Sequence, residues 1–121
     1  MPEEYEGAEP QTLAEKVEAS VAAVWTRFVG ERPVGAQTEH DGNVFRMTVP
    51  NGTEQFAQGM ARDDDRSDDA PPRTAARYEF AAARAVSAVT HRKVDAMISK
   101  HNKKTGIATE VFILEQLPKK Y

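Results

Sequence analysis

The stretch Ser-Lys-His-Asn-Lys-Lys-Thr-Gly, residues 99–106, places three lysines and a histidine within eight positions of a chain whose formal net charge is -3. Clustered ammonium groups hold phosphate or carboxylate, as compact point charges rather than planar forks. With Arg92 and Lys93 just upstream, five residues become candidates for contact with an acidic partner: Arg92, Lys93, Lys100, Lys103 and Lys104. Such a patch suits the acidic face of a protein, an anionic membrane surface or nucleic acid. The nucleic-acid alternative is the weaker one, because the lysines lack interleaved aromatics, a G-x-x-G clamp and a ribonucleoprotein consensus. The plainest alternative is a solvated turn whose lysines discourage pairing between sheet edges.

Other chemistry is thinner. Asp63, Asp65, Ser67 and Asp69 imitate positions 1, 3, 5 and 7 of a calcium loop, but position 6 is Asp68 instead of glycine and position 12 is Thr74 instead of glutamate. An exposed acidic loop over residues 63–72 is the better expectation. His40, His91 and His101 have no metal-ligand spacing and are read as surface or turn histidines. The absence of cysteine removes disulfides, thiolate catalysis and cysteine-ligated metal sites. No G-x-S-x-G, phosphate-binding loop or dinucleotide fingerprint occurs. The expectation is therefore a non-enzyme with no catalytic residue, no metal and no cofactor.

Charge is divided unevenly along the chain. Residues 71–121 hold ten Lys and Arg against four Asp and Glu, whereas residues 1–70 hold six against fifteen. A basic C-terminal face is consistent with an acidic partner. At 121 residues with 40% apolar and 29% charged side chains, the chain suits one folded domain. The acidic opening "MPEEYEGAEP" lacks a basic, then apolar, leader pattern, and no apolar run approaches the length of a membrane span, so a cytoplasmic protein is expected.

The elements that must carry these residues follow from periodicity. After an acidic lead over 1–11, Thr12 and Glu15 make a T-x-x-E capping box, and Leu13, Val17, Val21, Val24 and Phe28 form one helical stripe ending at Gly30. Trp25 on that stripe is read as packing. Residues 34–49 predict a hairpin around Asp41-Gly42 with a type I′ turn, in which Phe45, Met47 and Val49 alternate inward. Thr53 is a candidate N-cap for a short helix carrying Phe56 and Met60. A longer helix follows from residue 73, with Tyr78, Ala82, Ala85, Val86 and Val89 on one face. Residues 91–104 fit either a continuation of that helix or the first strand of a second hairpin. The alternation in "KVDAMIS" and "IATEVFIL", with Asn102 and Gly106 available for positive φ, favours the hairpin.

This order of elements, with "RFVGERPVGAQTEHDGNVFRMTV" and "VDAMISKHNKKTGIATEVFILE", resembles the MpsC-like family of small bacterial proteins, whose closing F-x-L word is matched by Phe112 and Leu114. The likeness spans about residues 12–117. It departs after the second strand, where the family's G-x-L-T-x-x-E segment is replaced by "VPNGTEQ", keeping Thr53 with Glu54 directly after it. The resemblance implies association with a sodium-translocating, membrane-potential-generating system or with ion or bicarbonate uptake, and it carries over no catalytic residue. Together these readings predict an α+β fold: one two-layer domain over residues 12–117, with a small antiparallel sheet from two hairpins, two long helices and one short one, and a tail at 118–121. The expected function is that of an accessory or regulatory protein acting by protein-protein interaction, as a homodimer.

Overall fold

The structure, a computed structural model, describes residues 12–63 and 73–116. The acidic lead, the calcium-like spacing beyond Asp63 and the C-terminal tail lie outside the described residues. The fold is α+β, as predicted: among the described residues there are three helices and one four-stranded antiparallel sheet.

Helix α1, Leu13–Val29, starts where its capping box demands, with Thr12 Oγ1 accepting from the Glu15 amide at 3.1 Å and Glu15 Oε1 accepting from the Thr12 amide at 3.0 Å. These bonds satisfy donors that a helix start otherwise leaves unpaired. Its buried stripe is Val17, Val21, Val24, Trp25 and Val29, with Phe28 partly buried beside it, while Leu13 at the helix start is 37% exposed.

Strands β1, Gln37–Asp41, and β2, Val44–Val49, form the first hairpin. The tight turn comes one residue later than the sequence suggests, at Gly42-Asn43, because Asp41 still pairs with Val44. Of the two central residues only Gly42 has positive φ, at 64°, so the turn follows the type II′ pattern of glycine first rather than type I′. Phe45, Met47 and Val49 are fully buried, as their alternation requires.

Helix α2, Gly52–Asp63, begins before Thr53, which sits inside the first turn and does not cap it. The Thr53 amide donates instead to the Gly106 carbonyl at 3.0 Å, tying α2 to the second hairpin. Helix α3, Arg73–Thr90, buries Tyr78, Ala82 and Val86, with Ala85 and Val89 partly buried against the core. It stops at His91, whose φ of 59° takes the chain out of the helix. The hairpin reading of the basic region therefore holds: β3, Val94–His101, pairs with β4, Ala108–Leu114.

The strand order is β1-β2-β4-β3, which puts β4 in the middle and leaves β1 and β3 as edges. All three helices lie on one face. Row by row, that face carries Met47, Glu110 and Ser99, then Phe45, Phe112 and Met97, then Val49, Ala108 and His101.

Helices α1 and α2 come close at Gly59 of α2, where a Cβ would stand 2.7 Å from both the Cα and the carbonyl oxygen of Val29 in α1. Backbone on the receiving side cannot swing aside as a side chain could. Gly59→Ala is expected to lower stability by about 1–3 kcal/mol through overpacking, outweighing the helix propensity it adds. The check is a lower urea midpoint at unchanged slope.

Candidate functional site

The lysine-rich stretch is divided by its strand. Antiparallel register pairs Ser99 with Glu110, Lys100 with Thr109 and His101 with Ala108, and paired residues project from the same face. Ser99 and His101 therefore point toward the helices while Lys100 points away. Lys103 and Lys104 lie beyond the strand in a turn organised by Asn102, whose Oδ1 accepts from the Lys104 amide at 2.8 Å and the Thr105 amide at 3.0 Å. The Gly106 amide closes this turn onto the Asn102 carbonyl at 2.7 Å. Asparagine keeps a negative φ there and only Gly106 takes a positive one, 79°. Both turn lysines are exposed on an ordered support.

Arg92 and Lys93 do not join them. The Arg92 guanidinium donates to the Glu115 carbonyl at 2.6 Å, and the Lys93 amide donates to the Glu115 carboxylate at 3.0 Å. These bonds clamp the start of β3 to the end of β4. Eight strand residues separate them from the turn, about 25 Å at ~3.3 Å per residue. The five basic candidates thus form a lysine tip at one end and a structural clamp at the other, rather than one patch.

The helix-facing side holds a titratable cluster. Glu110 is completely buried, and its Oε2 receives the Tyr78 hydroxyl at 3.4 Å and faces His101 Nε2 at 3.4 Å. Ser99 Oγ stands 3.1 Å from the same Nε2. Each helix adds a ring to this cluster: Trp25 from α1, Phe56 from α2 and Tyr78 from α3. Phe56 meets Trp25 at 5.3 Å, Tyr78 at 5.1 Å and the His101 imidazole at 4.6 Å between centroids. Glu110 Oε1 and the Trp25 indole N–H have no hydrogen-bond partner.

Serine, histidine and glutamate in sequence suggest a nucleophile relay, but the geometry does not make one. A relay needs the hydroxyl on one ring nitrogen and the acid on the other. Here Ser99 and Glu110 both meet Nε2. If Nε2 carries the proton it donates to Glu110 and cannot take one from Ser99; if it lacks the proton, Glu110 faces a lone pair. The favourable arrangement has Nε2–H donating to the Glu110 carboxylate, a hydrogen bond for a group that burial alone would make costly. Burial, reinforced by the nearby Glu110 carboxylate, pushes the Tyr78 hydroxyl far above its ordinary range, so it remains a donor.

His101 is thus neither a surface nor a turn histidine; its side chain is only 20% exposed. His40 does lie at the surface, stacked on Phe45 at 4.0 Å and bonded to the Gly42 carbonyl at 2.8 Å. Among the described residues no three His, Asp or Glu side chains gather as a metal would require. Two of the depressions on the surface of the described residues are marked. One, about 320 Å³, lies between Glu31 and the first two turns of α2. The other, about 430 Å³, lies on the first hairpin among Glu39, Asp41, Val44 and Arg46.

Two predictions follow from the buried cluster. His101→Phe leaves the buried Glu110 side chain without its imidazole partner and is expected to cost about 1–3 kcal/mol in urea unfolding, and adding Glu110→Met should recover most of that loss. At alkaline pH the folded protein keeps a proton on Tyr78 that the unfolded chain releases near 10.0. Unfolding then releases a proton, so stability falls as pH rises above 10. Urea midpoints at pH 9 and pH 11 should show this decline in the wild type and a shallower one in Tyr78→Phe.

With the geometry in place, comparison with known proteins adds no relative: no family model, no curated protein and no solved structure matches the chain.

Proposed function

We propose that the chain is a non-enzymatic accessory or regulatory protein that works by docking onto other proteins, with the lysine tip of the β3–β4 hairpin as its contact. The observation that carries this reading is the construction of the tip. Lys103 and Lys104 are exposed on a turn held by the Asn102 side chain and anchored through Gly106 to α2, so they are presented without the ordering cost of a floppy loop. The Ser99-His101-Glu110 group, by contrast, lies against the core with both polar partners on one nitrogen, an arrangement suited to holding charge rather than to turning over substrate.

The fitting partner is an acidic protein surface. The likeness of the two hairpin segments to the MpsC-like family directs attention to an ion or bicarbonate transport system in the membrane, approached from the cytoplasm. No helix among the described residues is long and apolar enough to cross a membrane, so on this reading the chain is a peripheral component.

The test is capture of the tagged protein from its host with solubilised membranes, with and without nuclease, read by mass spectrometry. Transport subunits should be recovered whether or not nuclease is present, and Lys103→Ser with Lys104→Ser should reduce their recovery at least about tenfold, or ~1.4 kcal/mol. Recovery of nucleic acid and its associated proteins alone, lost on nuclease treatment, would replace this reading with phosphate binding. Undiminished capture by the double variant would remove the tip from the interface.

A further inference from the structure

The sheet has helices on one face only. The other face, bare among the described residues, is set out by the register in three rows: Gln37, Thr48, Thr109 and Lys100; then Glu39, Arg46, Val111 and Ile98; then Asp41, Val44, Ile113 and Ala96. Val44, Val111 and Ile113 form an apolar patch on its two central strands, extended onto edge strand β3 by Ile98, which is 41% exposed. Its two edges differ in sign. Strand β1 contributes Glu39 and Asp41, whereas β3 contributes Lys100 on this face, with Lys103 and Lys104 just beyond it. The Glu39 and Asp41 carboxylates rim the 430 Å³ depression on the β1–β2 hairpin.

A surface with an apolar centre, one acidic edge and one basic edge is complementary to itself. We infer that a second copy of this chain packs on the open sheet face, with Lys100 of each copy directed toward Glu39 on the acidic edge of the other. Two stacked sheets related by a two-fold axis in the plane between them have two simple arrangements. An axis across the strands through the middle row stacks β1 on β1 and β3 on β3 with the rows reversed, setting Glu39 on Glu39 and Lys100 on Ala96. An axis along the strands puts β1 of one copy over β3 of its partner with the rows kept in step, setting Lys100 over Gln37 and one row, about 7 Å along the strand, from Glu39, twice. Charge selects the second. Arg46 is paired with Glu39 at 3.1 Å, which keeps its guanidinium on the β1 side of the face. Asp95, in the β3 bulge, lies at the far end from Lys100 and nearer Asp41; both are exposed at the rim, where like charges cost little.

Two consequences separate this arrangement from any other. Both lysine tips come to the same end of the pair, doubling the basic surface presented there. The contact is also modest: four strands ~4.8 Å apart and five residues deep give about 300 Å² in plan, below the ~800 Å² per partner of a standard interface. The pair should therefore dissociate on dilution instead of being obligate.

The inference stands on the sheet face and does not need the partner proposed for the tip. Sedimentation equilibrium of the full chain over a concentration series tests it. Wild type should show a reversible monomer-dimer equilibrium that weakens with salt. Glu39→Lys alone and Lys100→Glu alone should each raise the dissociation constant at least about tenfold, or ~1.4 kcal/mol. The two changes in one chain, or an equimolar mixture of the two single variants, should restore association. Ile113→Asp should give monomer, with circular dichroism and melting showing that it is folded, while Lys103→Ser with Lys104→Ser should leave the equilibrium unchanged. A wild type that is monomeric up to its solubility limit, or a dimer indifferent to both charge reversals, would overturn the arrangement.

Discussion

Placing the Glu110 carboxylate inside an apolar core is the constraint around which the rest of the molecule is arranged. A charge taken out of water must be compensated locally or it destabilises the fold by several kcal/mol. The compensation comes from three elements far apart in sequence: the Tyr78 hydroxyl of α3, the His101 imidazole of β3 and, by shielding that imidazole, the Phe56 ring of α2. Trp25 of α1 packs against both Phe56 and Tyr78. One acidic side chain on the central strand thereby specifies how each helix sits on the sheet, because a shift of any helix withdraws a partner or a ring from it.

The same layout explains why the outer surface divides its labour. With helices confined to one side, charged residues of β3 fall alternately into the core and onto the open face, and the turn beyond the strand is left for residues that belong to neither. Ser99 and His101 serve the interior, Lys100 the open face, and Lys103 and Lys104 the turn. Residues that look like one basic cluster in the sequence have three separate physical situations. Arg92 and Lys93 have a fourth, as a clamp on Glu115.

Much of the architecture was legible because it rests on local signals. The capping box at Thr12, the α1 stripe, the inward alternation of Phe45, Met47 and Val49, and the second hairpin all depend on neighbours within a few residues. The turn after Asp41 was misread in type because the choice between one and two positive φ values is made by the pairing register, which brackets Gly42-Asn43. Thr53 looked like a cap because its chemistry fits one, but its amide is taken by Gly106, a partner more than fifty residues away. The polar cluster was the largest omission, although a signal for part of it existed. In "ATEVFIL" Glu110 falls in phase with Ala108, Phe112 and Leu114, so it had to share their burial. Its pairing with Tyr78 and His101, by contrast, is purely tertiary, and no spacing announces it.

The alternation along Ser99, Lys100 and His101 also bears on what changes in length the chain tolerates. A strand has a repeat of two, so inserting or deleting a single residue in β3 ahead of Ser99 exchanges the two faces from there to the turn. Lys100 would then point at the helices and His101 at the open face, leaving an ammonium without a fitted site and the Glu110 carboxylate without its imidazole. A change of two residues would preserve the faces and only displace the row. Insertions in this strand are therefore filtered by parity, and β3 should tolerate changes of even length better than odd ones.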